Sequence, residues 1–223
     1  MTNAATTPPP DNRRGGLTRD DIVTAALELV RTEGIQAVTM RRLADVIGVT
    51  PMALYHHVPN KGVLLDLVVE RVGADLRLAH DGRPWTDQIR DYAHAWRVEL
   101  HRYPGVAGHL LRQAAPPAMS WRIMDDAISL MVEAGYDEQE ATRAFAGLVS
   151  FVLARCDQEE VMAGHAHADE VEITDDRIRG MLPAAHDNLD LGRVARYLTE
   201  LSHDEHFAYM LDRILAGIDV QRG

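Results

Sequence analysis

Apolar residues recur at helical spacing along nearly the whole chain. Ile22, Ala25, Ala26, Leu29 and Val30 form a first stripe at the i, i+3, i+4, i+7 rhythm of an amphipathic helix. Thr18, with Asp21 three residues on, reads as a capping-box variant at its start, and Gly34 as its stop. A second helix starts after an N-cap Thr39, turns Leu43, Ala44 and Ile47 inward, and breaks at Gly48 after two turns. Thr50 caps a third helix, with Pro51 at the first helical position, where its missing N–H costs nothing. That helix has room for about seven residues before Val58-Pro59. Asn60 caps a fourth, expected to run from Lys61 to about Leu78.

The same rhythm continues beyond Pro84. Trp85, Ile89, Tyr92, Trp96 and Leu100 share one face, and a short segment follows over 105–111. A helix is expected over 120–134, closed by Gly135. Asp137, with Glu140 three residues on, opens the next, expected to end near Cys156. Residues 157–176, rich in acid and histidine, read as a loop. Short helices are expected near 175–182 and 193–201, and a last one over 204–216 carrying Phe207, Met210, Leu211, Ile214 and Leu215. The pattern therefore predicts an all-α fold.

Composition narrows the class. Hydrophobic residues make up 46% of the 223 positions, which fits a packed chain and excludes a disordered one. No apolar run is long enough to span a bilayer. Residues 1–16 lack an apolar stretch, so no signal peptide is expected. The single cysteine, Cys156, forms no internal disulfide. These features point to the cytoplasm. The net charge of -11 argues at first against nucleic acid, but its distribution does not. Residues 1–62 balance at +1 and the remainder at -12, so any phosphate-binding face must be local and N-terminal.

Two short helices joined by a glycine turn, after a longer one, match the layout of a helix-turn-helix. In the third helix Val49 and Leu54 can face the core, leaving Thr50, Met52, Ala53, Tyr55, His56 and His57 outward. Small side chains allow close approach to a major groove, while Tyr and His contact phosphate or base edges. The stretch 17–68 resembles the N-terminal domain of the TetR family, with Gly48, Val49, Leu54, Tyr55, His57, Asn60 and Lys61 matching its hallmark positions. The resemblance implies a dimeric reader of double-stranded palindromic operator DNA. It places Thr39 and Arg41 at the DNA-contacting start of the second helix. Thr50, Met52 and Ala53 then approach bases, and Tyr55, His57 and Lys61 approach phosphates, with Pro51 and His56 also on the DNA-binding face. Where tetracycline repressors often carry a tryptophan, this chain has His56.

Three divisions follow: an arm over 1–16, whose Arg13 and Arg14 either reach a minor groove or only solubilise; a DNA-binding domain over 17–63; and a helical effector-binding and dimerisation domain over 64–223, entered by a connecting helix 64–80. Residues 84–100 and 124–160 are similar to the tetracycline-repressor branch. That likeness implies a four-helix dimer seam built from the helix over 141–156 and the last helix, with Ala144, Gly147, Ala154, Ala208 and Gly217 allowing close approach. Tyr92, Trp96, Leu100, His109, Arg112, Trp121, Met124, Ile128 and Phe151 are candidate walls of an effector pocket. Their plain alternative is core.

His109 aligns with the histidine that binds a drug-chelated magnesium in tetracycline repressors. Arg112 lies three residues on, where a hydroxyl residue is expected, and it favours an anionic effector over a metal, while the aromatic stripe Tyr92–Trp96 suits a flat or lipophilic one. The cluster His165, His167, Asp169, Glu170 and Glu172 has no closed zinc spacing. Neither a metal, nor a cofactor, nor a catalytic motif is expected. The leading expectation is a repressor released by a small molecule. Its alternatives are a ligand-independent activator or DNA-organising protein, and a helical scaffold that has lost DNA binding.

Overall fold

The computed structural model describes residues 16–113, 118–168 and 202–220. Among them are α-helices and one 3-10 turn, with no strand, as the spacing predicts. The helices are α1 (Arg19–Glu33), α2 (Met40–Ile47), α3 (Pro51–Tyr55), α4 (Lys61–Val72), α5 (Trp85–Arg102), α6 (Val106–Leu111), α7 (Ala118–Glu133), α8 (Glu138–Ala168) and α9 (His203–Val220), with the 3-10 turn at Ile35–Ala37 between α1 and α2. The expected arm, apart from Gly16, lies outside the described residues. So do the short helices expected near 175–182 and 193–201, and Asp169, Glu170 and Glu172.

The N-terminal helices start where their caps dictate. Thr18 accepts from the Asp21 N–H at 3.1 Å while Asp21 accepts from the Thr18 N–H at 3.0 Å, a reciprocal capping box. Thr39, Thr50 and Asn60 cap α2, α3 and α4 by accepting from Arg42, Ala53 and Val63. Gly48 turns the chain between α2 and α3 at φ 80°, ψ 37°, a left-handed conformation that disfavours other residues. Ile22, Ala26, Leu43, Ala44, Leu54, Val58 and Leu64 meet in a buried core beneath that turn.

In the C-terminal part α8 is the central element, with α5, α6, α7 and α9 packed around it. Trp85 meets Tyr136 edge-on at 5.3 Å. The Tyr136 hydroxyl donates to the Ile218 carbonyl at 3.3 Å, tying the α7–α8 turn to α9. Glu159, 4% exposed, accepts from Arg97 Nε at 3.0 Å and Arg155 Nε at 2.8 Å. His101 Nε2 lies 2.9 Å from the same carboxylate. Arg97 also reaches Asp204 at 2.7 Å and lies 4.9 Å above the Phe207 ring. Buried charge is tolerated when paired and hydrogen-bonded in this way.

Boundaries of α4, α8 and α9 depart from the spacing. The connecting helix stops at Val72 rather than near Leu78, because Gly73 caps it and the Arg77 guanidinium takes the Ala74 and Leu76 carbonyls. Leu78 still returns to the core, as part of an irregular strap. The loop expected from 157 is instead the C-terminal third of α8, which runs to Ala168. Its acidic residues are not a solvated run: Glu159 and Glu160 turn inward onto α5 and the α5–α6 turn. His165 and His167 therefore fall on helical backbone. The last helix extends the expected 204–216 at both ends, to His203 and Val220.

Candidate nucleic-acid interface and ligand cavity

On α3 and its flanks the expected outward residues are outward. Thr50, Pro51, Met52, Tyr55, His56 and His57 are exposed, Met52 by 67% and Tyr55 by 46%, while Ala53 is half-buried. Leu54 is the buried anchor and Val49 the half-buried one. The exposed Met52 is unusual for a solvated helix; its flexible thioether suits contact with a thymine methyl. Thr39 and Thr50 spend an oxygen lone pair on capping, which leaves each hydroxyl proton free to donate.

The cations around this face fall into two groups. Arg31 is held by Glu28 at 2.5 Å, and Arg42 by Glu33 at 2.5 Å. Arg71 is held by Asp20. Arg41 and Lys61 are exposed and enter no ion pair among the described residues. Lys61 opens α4, where the helix dipole opposes a positive charge. An anion at that point relieves the cost.

Above this head lies an apolar cavity. Val69, Val72 and Gly73 of α4 wall one side; Tyr92, Trp96 and Leu100 of α5, Val106 and Leu110 of α6, Ile123 of α7, and Phe145 and Val149 of α8 complete it. Tyr92 and Trp96 lie 6.3 Å apart. Burial pushes the Tyr92 phenol well above its ordinary range; every other wall residue is uncharged, so the cavity carries no charge at neutral pH. Its free volume is about 50 Å³, room for a water or two and far below the roughly 300–1,000 Å³ of an occupied small-molecule pocket.

Of the nine wall candidates, Tyr92, Trp96 and Leu100 line this cavity. Met124 and Ile128 are half-buried beside the core. Phe151 stacks on Phe207 at 5.4 Å instead. Trp121 is 53% exposed on α7, and Arg112 is exposed past the end of α6. His109 accepts at Nε2 from the Gln113 amide at 2.9 Å, and the same amide nitrogen is 3.1 Å from Asp66 of α4. Burial holds the His109 imidazole below its ordinary value, in keeping with an unprotonated acceptor nitrogen. Among the described residues no group of His, Cys, Asp and Glu is arranged to hold a metal ion. Burial pushes the Cys156 thiol up to about 12, which suits packing rather than reactivity.

Helix α6 touches both regions. At its start, the Ile35 N–H of the head donates to the Pro104 carbonyl at 2.9 Å. The Gly105 N–H donates to Glu160 of α8 at 2.7 Å. Gly105 stands at φ 83°, and a Cβ there would lie 2.7 Å from Ile35 Cγ2. In the middle, a Cβ on Gly108 would overlap the Asp157 carboxylate. At its end, Gln113 reaches Asp66.

The sequence matches two family descriptions: bacterial regulatory proteins of the tetR family over residues 22–68, and the tetracyclin repressor-like C-terminal domain over 78–222. The chain belongs to the TetR family. It is 28% identical over 210 residues to the tetracycline repressor protein class D of Escherichia coli, covering 92% of this chain and 90% of that one. The TetR-family protein ActR of Streptomyces coelicolor, in complex with actinorhodin, superposes with a TM-score of 0.80 at 26% identity, covering 93% of this chain and 97% of that one. BioQ, crystallised with its double-stranded DNA operator, superposes with a TM-score of 0.61 at 27% identity, covering 66% of this chain and 89% of that one.

Several walls of the cavity in this TetR-family chain are not marked by chemistry in the sequence. Val69, Val72, Val106, Leu110, Ile123, Phe145 and Val149 are ordinary apolar residues at helical spacing. The available signal was positional: Val106 and Leu110 flank His109 on a six-residue helix, so either face of that helix was open.

Proposed function

We propose that this chain is a homodimeric, ligand-responsive repressor that binds palindromic operator DNA through Arg41, Thr50–Ala53, Tyr55, His57 and Lys61, with Thr39 and His56 at the edge of that face. A planar lipophilic molecule entering the cavity releases it from DNA. One observation carries this reading. Helix α6 supplies Val106 and Leu110 to the cavity wall, while the residues flanking its two ends hold the head at Ile35 and the connecting helix α4 at Asp66. A cavity of about 50 Å³ is too small for a ring system as it stands, so an occupant displaces its walls, α4 and α6 among them, and occupancy and head position are linked. The dimer seam runs over the exposed small residues of α8 and α9, where Gly147 and Gly217 meet nothing within 4 Å in the single chain. On this reading the DNA-binding domain spans 17–63 and the sensing and dimerisation domain 64–223, with α4 as the connector.

The test uses Trp96, the tryptophan that lines the cavity. Polycyclic phenols and quinones are titrated against tryptophan fluorescence, and then against the complex with DNA from upstream of the gene. A ligand should quench the parent and lower its DNA affinity about 5–150-fold, the usual range of allosteric coupling. Trp96→Phe should lose most of the quench and keep DNA binding. Quenching that persists undiminished in Trp96→Phe, or ligand binding with unchanged DNA affinity, overturns the assignment.

A further inference from the structure

Of the 23 lysine and arginine residues in the chain, one is a lysine, Lys61. The two side chains differ in chemistry. A guanidinium stays protonated, whereas a primary amine in its unprotonated form attacks acyl carbonyls. Lys61 is therefore the one side chain through which acylation can remove a positive charge from this protein.

The surroundings of Lys61 leave its amine unengaged. It is exposed and enters no hydrogen bond or ion pair among the described residues. The acceptors nearest in sequence are occupied: Asn60 Oδ1 accepts from the Val63 N–H at 3.0 Å, and Asp66 accepts from Gln113 at 3.1 Å. The first turn of α4 carries no acidic residue. Pro59, Asn60 and Gly62 are exposed on either side, so the amine is open to solvent.

A second observation concerns what the charge does for the fold. Arg31, Arg42 and Arg71 are each held by a carboxylate, of Glu28, Glu33 and Asp20. Neutralising Lys61 breaks no such pair, and it removes a positive charge from the end of α4 where the dipole opposes one. The charge therefore serves a bound anion rather than the folded chain, and its loss is felt at the DNA face alone.

We propose that Lys61 is an acylation site that switches off DNA binding, with an acyl thioester of the acetyl class as donor. The unprotonated Nζ attacks the thioester carbonyl carbon; a C–N bond forms, the C–S bond breaks and the thiol departs. Of the two protons the ammonium gives up, one leaves on the thiol and one goes to solvent. The product amide is neutral and makes no charge-assisted contact with a phosphate. The proposal rests on the repressor reading, since operator DNA is the anion that the amine serves. Bound operator in turn shields the amine from the donor.

The full-length protein is incubated with acetyl-coenzyme A, with and without DNA from upstream of the gene, and acetylation of Lys61 is followed by peptide mass spectrometry. Lys61 should be acetylated in the free protein, and about tenfold more slowly with DNA at about ten times its Kd. A homogeneous protein carrying Nε-acetyl-lysine at position 61 should bind that DNA about tenfold or more weakly, the loss of one charge-assisted contact. It should melt no lower than the parent. Treated Lys61→Arg should keep the affinity of its own untreated sample, while the parent loses affinity in step with Lys61 acetylation. Four results overturn the proposal: Lys61 unmodified in the free protein, equal rates with and without DNA, parental affinity in the acetyl-lysine protein, or a melting point well below the parent's. Affinity lost equally by treated Lys61→Arg places the effect at another residue and overturns it too. A parent that does not prefer the upstream DNA over a scrambled duplex refutes the repressor reading itself.

Discussion

Gly105→Ala tests how the head is joined to the rest of the chain. Two costs add at this position. Its φ of 83° penalises any Cβ by about 1–2 kcal/mol. The new methyl would also stand 2.7 Å from Ile35 Cγ2, and insertion of a methylene-sized group into a packed contact costs about 1–3 kcal/mol. Ile35 cannot retreat freely, because it is 2% exposed and its N–H is bonded to Pro104. The sum is about 2–5 kcal/mol. Gly82 isolates the first cost, since it has φ 79° and nothing within 4 Å of the added Cβ; Gly82→Ala should lose only about 1–2 kcal/mol. Urea unfolding of both variants gives the difference. Gly105→Ala should also weaken operator binding, because the displaced turn carries the head with it. Equal losses in the two variants would show that the Ile35 contact carries no energy, and unchanged operator affinity would show that the joint does not position the head.

Three further outcomes follow from the same structure. Gly147 lies on an exposed face of α8 with nothing within 4 Å, so alanine there would stabilise an isolated chain by up to about 1 kcal/mol; at a dimer seam it should instead weaken association, and sedimentation equilibrium decides between the two. Glu159→Ala leaves the buried Arg97 and half-buried Arg155 guanidinium groups without their shared carboxylate and should cost about 3 kcal/mol or more in urea unfolding; a loss below about 1 kcal/mol would contradict a structural role for the network. His109 has its pKa held below 6.5 by burial, so the unfolded chain takes up the proton first as pH falls. Its contribution to stability is complete above about 6.5 and is lost as pH drops toward the lower folded-state value. His109→Asn should flatten that part of the stability–pH curve, and a curve of unchanged slope in the variant would exclude His109 as its source.

The head was largely legible because each of its signals is local. Thr18, Thr39, Thr50 and Asn60 each cap the helix they precede, and a cap is decided within four residues. Gly48 is similarly self-contained. Beyond α4 the deciding interactions are distant in sequence. The loop expected from 157 is helix because Glu159 meets Arg97 some sixty positions away, and a run of acid and histidine does not announce such a partner. The cavity walls were half-legible for the same reason. Tyr92, Trp96 and Leu100 share a stripe that any helical reading finds, but Trp121 and Phe151 carry equally aromatic side chains and face elsewhere. Helical spacing identifies a buried face; it does not distinguish a face against a cavity from a face against another helix.

The central claim is that Arg41, Lys61 and the exposed face of α3 bind operator phosphates and bases. The most direct measurement is fluorescence anisotropy of the parent and of Lys61→Ala on DNA from upstream of the gene, over a salt series, beside a scrambled duplex. The parent should prefer its own sequence by about a thousandfold or more at physiological salt. Lys61→Ala should weaken both duplexes to a similar degree, with the slope of log affinity against log salt smaller by about 1. Equal affinity of the parent for both duplexes, or a Lys61→Ala salt slope identical to the parent's, would contradict it.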